Sequence, residues 1–296
     1  MGKYDLTIAH RVCPVLAKVA VGYDNKRDMV VDAVRSMAKA LSKIRVRFIV
    51  ILDGCPHYRG IFEDAFENRK DDLGFSLEMV DTPSIGNKAT WRKQVELLAA
   101  ADTDIVYFSE DDYLYSDSAF VAMLDYIAQP GVDAVTPLDH PGYYNGGDPL
   151  PFRPIVRVSK SCHWAEVGLT CLTFMVQKRW LISQKKVFAH YSQTGEEGTM
   201  WSALTKIRIY NPIRLIVTAV KFIFGQELRA SFLLPLCTWK QFGLRVLLIP
   251  RIHLWCPIPT LAAHVCRFSL PLGSGAFVPE HMRGEVTKTE RAHLLI

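Results

Sequence analysis

Two short, almost wholly apolar runs each stop at carboxylates. "VRFIVIL" (46–52) ends at Asp53-Gly54, and "DIVYF" (104–108) runs into Glu110, Asp111 and Asp112. β-Branched runs of this length, with no alternation, read as strands buried on both faces. Between them lie segments with a helical period. Val30, Ala33, Val34, Met37, Ala38 and Leu41 share one face, as do Trp91, Val95, Leu98 and Ala99 farther on. Buried strands alternating with amphipathic helices predict βαβ units and a parallel sheet. The remaining predicted strands are "KVAVGY" (18–23), "FSLEMV" (75–80), "VDAVTPL" (132–138) and "TCLTFMV" (170–176). A further helix is expected over 117–128, and Ser84 and Asn87 are the predicted caps before the 88–101 helix. "GEEGTMWSALTK" (195–206) reads as a loop entering a helix.

The composition excludes several classes. With 49% hydrophobic and 22% charged residues the chain is globular, not disordered. A net charge of +5 is too mild for a nucleic-acid binder, and is compatible with an anionic ligand or surface. Seven cysteines, an odd number with no Cys-x-x-Cys pair, argue against a disulfide framework or a zinc ribbon and for a reducing, cytoplasmic setting. The first residues lack a signal-peptide core, and no apolar run reaches the roughly 18–20 residues that cross a bilayer.

On these strand assignments Asp24, Asp53 and the triplet Glu110–Asp112 all lie at C-terminal strand ends. Ligands bind outside those ends in an open parallel sheet. A carboxylate cluster there repels itself unless something positive joins it. A hard divalent cation, Mn²⁺ or Mg²⁺, together with phosphate oxygens is the natural complement. Glycine-rich phosphate loops are missing from the sequence, which fits phosphate handling by a metal.

"AVGYDNKRDMVVDAVRSM", "FIVILDG" and "GNKATWRKQVELLAAADTDIVYFSEDD", in that order, resemble the nucleotide-binding half of GT-A glycosyltransferases, nearest to the family-2-like group. The resemblance spans roughly residues 18–205. It implies an α/β, Rossmann-like fold with a mostly parallel sheet flanked by helices. Residues 1–206 would form the catalytic domain, and 207–296 a mixed C-terminal extension packed on it. It further implies that Asp24, Asp53, Arg92, Glu110 and Asp111 serve the nucleotide-sugar donor, and that Asp112 binds the metal. The sequence departs from the family pattern in Glu110, where the motif begins with Asp, and in "LDGC". The acidic pair of "TGEEGTMW" matches the position of the inverting base, with Glu197 favoured over Glu196. His264, in "PTLAAHV", resembles a late histidine that completes a metal shell.

The implied activity is transfer of a sugar from a nucleotide-sugar donor, with a UDP-sugar among the candidates, to a carbohydrate or lipid-linked acceptor in cell-surface polysaccharide or glycolipid assembly. A nucleotidyltransferase and a non-catalytic scaffold are the alternatives. His140 and His163, and the aromatics Tyr113, Tyr115, Tyr143, Tyr144, Trp164 and Trp201, are candidates for the acceptor side, with core packing the plainer reading of each aromatic. Segment 208–255 mixes Arg and Lys with large apolar residues. It reads either as a packing subdomain or as a peripheral membrane contact.

Overall fold

The structure, a computed structural model, describes residues 2–16, 20–144, 155–207, 209, 216, 220, 230–266, 270–271, 274–284 and 286–287. Its centre is a nine-stranded sheet of order β3-β2-β1-β4-β9-β6-β10-β8-β7. In chain order the strands are β1 (Leu6–Val12), β2 (Val46–Asp53), β3 (Phe75–Thr82), β4 (Ile105–Glu110), β5 (Tyr113–Tyr115), β6 (Ala134–Val135), β7 (Val156–Val158), β8 (His163–Val167), β9 (Phe174–Gln177), β10 (Leu254–Ile258) and β11 (Ala262–His264). The first four are mutually parallel. Only β9 and β8 run against the rest, so seven of the nine strands share one direction. β5 and β11 form a separate antiparallel pair.

The first strand is not where the sequence suggested. Residues 20–23 are loop, and 17–19 lie outside the described residues. The central strand is instead β1, "LTIAHRV", in which every residue is buried. His10 and Arg11 break its apolar run and hide it from a hydrophobicity scan. Both are buried because each has a polar partner on the neighbouring strand: His10 Nδ1 lies 2.8 Å from Ser109 Oγ, and Arg11 meets Glu110.

The helices follow the sequence more closely. α1 (Lys26–Ala40) begins at Asn25, whose side chain accepts from the Asp28 N–H, and buries Val30, Ala33, Val34 and Met37. α2 (Arg59–Ala65) and α4 (Ala119–Ile127) pack on the same face of the sheet. α3 (Asn87–Ala99), α5 (Lys178–Ser183), α6 (Lys185–Thr194) and α7 (Glu197–Thr205) cover the opposite face. α8 (Ala230–Phe242) packs beside α7. Neither predicted cap of α3 holds. Gly86 occupies the cap position, and Asn87 is the first helical residue.

One apolar cluster lies on each face of the sheet. On the α3 side Trp91 is fully buried, stacks on Phe108 at 4.7 Å and donates its indole N–H to the Phe188 carbonyl at 2.7 Å. This tryptophan joins α3, β4 and α6. Trp91→Ala is expected to cost about 3–5 kcal/mol, the usual loss for a large aromatic truncated in a core. Trp91→Phe is expected to cost less. Urea unfolding of the three proteins checks this ordering.

Candidate active site

β1 is flanked by β2 on one side and β4 on the other, so the strand order reverses at β1/β4. The C-terminal ends there, Arg11–Cys13 and Glu110–Asp112, open on a cleft of about 220 Å³. Such a switch point is where open α/β sheets bind ligands. Lys26 at the start of α1, Asn87 at the start of α3 and Asp53 at the end of β2 complete the walls.

Each carboxylate of the triplet faces a different cation from a different element. The Arg11 guanidinium donates to Glu110 Oε1 at 2.5 Å, and also to the Asn87 carbonyl at 3.1 Å and to Asn87 Oδ1. Lys26 donates to Asp111 Oδ1 at 2.6 Å, while the Cys13 N–H reaches Asp111 Oδ2 at 2.9 Å. His264 Nε2 lies 3.1 Å from Asp112 Oδ2. His264 is fixed by β-pairing with Tyr113, on whose ring it stacks at 4.8 Å, and by the Val265 N–H bonded to the Asp112 carbonyl. The sequence pointed to something positive at the triplet, with a divalent cation as the natural complement. The fold supplies three side-chain cations for that purpose.

The electrostatics divide the triplet. Burial pushes the Asp111 carboxyl up, and Lys26 only partly reverses this. Burial also opposes ionisation of Asp112, but His264 more than offsets it and holds Asp112 low. For His264, burial opposes the charge, yet Asp112 carries its pKa well above the usual range. His10, deep under the rim, is lowered to about 3 by burial and by Lys26, so it is neutral.

Asp112 is also the member with spare capacity. Its Oδ1 is buried with no hydrogen-bond partner. Among the described residues no group of three His, Cys, Asp or Glu side chains is arranged to enclose a metal. Mg²⁺ and Mn²⁺ do not need one, since one or two protein ligands suffice when waters and phosphate oxygens supply the rest. The open Oδ1 of Asp112 fits a cation held in that way, and the adjoining His264 Nε2 could join it only on giving up the proton it shares with Asp112.

Asp53 is 5% exposed and accepts from Thr82 Oγ1 (2.8 Å), the Ile85 N–H (2.6 Å) and the Gly86 N–H (2.8 Å). It therefore pins the loop that leads into α3. Gly54 permits this turn: its φ is +71°, and a Cβ there would collide with the Ser84 side chain. Glu197 opens α7 and is half-buried. Burial raises the Cys171 thiol and the Tyr191 hydroxyl, and the charge of Glu197 adds to both. Tyr191 OH in turn accepts from Asn87 Nδ2 at 3.0 Å, so Glu197 adjoins the chain Tyr191–Asn87–Arg11–Glu110. Glu196 is exposed and accepts from Gln241 instead.

Two expected donor residues stand elsewhere. Arg92 is on the exposed face of α3, outside the cleft lining. Asp24 is exposed in the loop before α1, in a separate hollow with Asp28 and Asp32, because the strand expected to end there is loop. His140 caps a short turn through the Gly142 N–H, and His163 is exposed on β8. Tyr113, Tyr115, Tyr143, Trp164 and Trp201 are core residues, whereas Tyr144 is largely exposed and donates to Asp139 at 2.7 Å. Arg11, Lys26 and Asn87 were not anticipated as site residues. An arginine inside an otherwise apolar strand was the available signal, since such a charge is buried only with a partner.

Neither a protein-family model nor a curated protein matches the chain. Solved structures similar to it include S. aureus TarS 1-349 in complex with UDP, at 10% identity over 64% of this chain and with a TM-score of 0.40. This chain spans about half (54%) of that structure's length. Another is the mannosyltransferase PcManGT from Pyrobaculum calidifontis in complex with GDP-Man and Mn²⁺, at 14% identity over 81% of this chain and 69% of that one, with a TM-score of 0.43. A third is the 4-diphosphocytidyl-2C-methyl-D-erythritol synthase from Anaerococcus prevotii, at 12% identity over 68% and 82%, with a TM-score of 0.35. The superpositions are loose. The chain's own strand order shows an α/β fold with a mostly parallel sheet and an acidic rim at its switch point.

Lys26→Met should leave the buried Asp111 unpaired, at a cost of about 3–5 kcal/mol. Adding Asp111→Leu should recover most of that loss, because an apolar pair of similar volume often replaces a buried ion pair. Chemical denaturation of the single and double variants checks both outcomes.

Proposed function

We propose that the chain is a metal-dependent glycosyltransferase that moves a sugar from a nucleotide-sugar donor to an acceptor hydroxyl with inversion. One observation carries this reading. The cleft at the β1/β4 switch point combines an acidic triplet, two buried cations and one carboxylate oxygen without a partner. A nucleoside diphosphate with a bound cation complements such a surface in both signs of charge. A UDP- or GDP-linked sugar is the donor class, and a carbohydrate or lipid-linked alcohol the acceptor class, as in cell-surface polysaccharide or glycolipid assembly.

Residues divide the work as follows. Asp112, with His264 once that imidazole has given up its proton, would hold Mn²⁺ or Mg²⁺, which would neutralise charge on the departing diphosphate. Arg11 and Lys26 hold Glu110 and Asp111 in fixed orientations, so the rim is set before ligand arrives. Asp53 holds the loop before α3 against the donor side of the cleft. Glu197 is the favoured base: it adjoins the Tyr191–Asn87–Arg11 chain, whereas Glu196 is turned to Gln241. Its carboxylate takes the proton of the acceptor hydroxyl as that oxygen attacks the anomeric carbon.

Incubation with UDP-, GDP-, CMP- and dTDP-sugars plus Mn²⁺ tests the reading. One nucleoside diphosphate should be released slowly, and chelation of the metal should stop it. Asp112→Asn should reduce release by about 100-fold or more, the scale of losing one electrostatic contact to developing charge. Glu197→Gln should keep donor binding and lose transfer, while Glu196→Gln keeps both. Absence of metal-dependent nucleotide binding to any of the four would overturn the proposal. Release of pyrophosphate from a nucleoside triphosphate and a sugar phosphate would replace it with nucleotidyl transfer.

A further inference from the structure

Charge is distributed very unevenly along this chain. Residues 198–279 contain nine Lys and Arg against a single acidic residue, Glu227, a formal +8 in a chain whose total is only +5. The rest of the molecule is therefore net acidic. The same stretch holds the most exposed large apolar side chains of the C-terminal half. In the turn that follows α8, Leu244 is 77% exposed, Leu248 84% and Leu247 53%. Val246, between them, is fully buried and anchors the turn. Leu236 and Lys240 lie one helical turn apart on α8 and are both exposed. Arg245, also exposed, lies between Leu244 and Leu247, while Arg251 beyond them is paired with the buried Glu166 at 2.8 Å.

Single exposed leucines are ordinary. Three within five residues, flanked by Lys240 and Arg245 in a stretch with no acid from 228 to 279, are not. The positive excess of this stretch favours a surface that is itself uniformly negative over a protein partner. We propose that the α8 turn, through Leu244, Leu247 and Leu248 with Lys240 and Arg245, docks on an anionic lipid bilayer. Leucine side chains enter the headgroup boundary, and the cations hold lipid phosphates around them. No helix among the described residues is long and apolar enough to cross a membrane, so the contact is interfacial.

This surface connects to the cleft through packed elements. The Lys206 ammonium reaches the Val246 carbonyl, the Ile252 N–H bonds the Leu204 carbonyl at 3.0 Å, and Gln241 donates to Glu196. The docking turn is thereby fixed to both ends of α7, the helix that Glu197 opens. Docking would carry the Glu197 end of the cleft to the membrane. Resting on the transferase reading above, this identifies the acceptor as an amphiphile resident in the bilayer rather than a free sugar.

Vesicle co-sedimentation of the full chain tests the docking without reference to catalysis. With phosphatidylcholine vesicles containing about 30% phosphatidylglycerol, most of the protein should pellet. Pure phosphatidylcholine should retain at least 10-fold less, and 0.5 M salt should weaken binding to the anionic vesicles. Leu244→Glu/Leu248→Glu should lower the partition coefficient about 10-fold or more, with an unchanged circular dichroism spectrum and unchanged nucleotide binding. No pelleting by anionic vesicles, or pelleting that the double variant leaves intact, would overturn the docking. Nucleotide binding measured on the same protein separates that failure from failure of the donor site. Capture of a protein partner by a leucine-dependent but lipid-independent contact would also overturn it.

Discussion

Three consecutive carboxylates are tolerated at the edge of this core because each is matched by a cation that the fold brings from far away in sequence. Arg11 arrives on the central strand, Lys26 at the start of α1 and His264 on the short β11. Isolated ionised groups are not stable at such burial. The three pairs therefore set the positions of β1, α1 and the C-terminal segment together. Arg11 and Lys26 are each 7% exposed. Losing Lys26 would leave the buried Asp111, and losing Arg11 the half-buried Glu110, without its counter-charge.

The pairs are unequal, and the inequality gives the cleft its chemistry. Glu110 is held by an arginine that also clamps the start of α3, and Asp111 by a lysine and a backbone N–H. Both carboxylates are engaged. Asp112 faces a histidine, whose proton is exchangeable, and keeps one oxygen free. A site with two fixed ion pairs and one adaptable pair is ordered before ligand arrives, yet retains a position for a cation. The basic, leucine-rich turn beyond α8 extends the same logic outward. The acidic groups gather in the cleft and the N-terminal part of the chain, and the positive excess in the C-terminal part.

Much of this was legible in the sequence where the physics is local. α1, α3 and α4 followed from helical period, although the caps expected for α3 do not hold. α7 followed from the reading of 195–206 as a loop entering a helix, and β2, β3 and β4 from apolar runs bounded by Asp, Gly and Pro. The carboxylates of Asp53 and the triplet do stand on the rim. β1 was missed because His10 and Arg11 interrupt its apolar pattern, and their partners, Ser109 and Glu110, are 99 residues away. The error moved the expected first strand to 18–23 and drew Asp24 onto the rim, where it does not lie. Arg92 was chosen by position on α3, but the side chain beside it, Trp91, takes the inward face. The Asp112–His264 contact spans 152 residues. Resemblance suggested it, and no local pattern did.

The central claim is that Asp112 and His264 form the adaptable pair and Glu110 does not. Manganese binding in the presence of a nucleoside diphosphate, followed by loss of the free-ion electron paramagnetic resonance signal, measures it directly. The account predicts one Mn²⁺ per chain, with affinity reduced at least 10-fold in His264→Ala and changed far less in Glu110→Gln. Equal affinity in the wild-type and His264→Ala proteins, or a loss as large in Glu110→Gln as in His264→Ala, would contradict it.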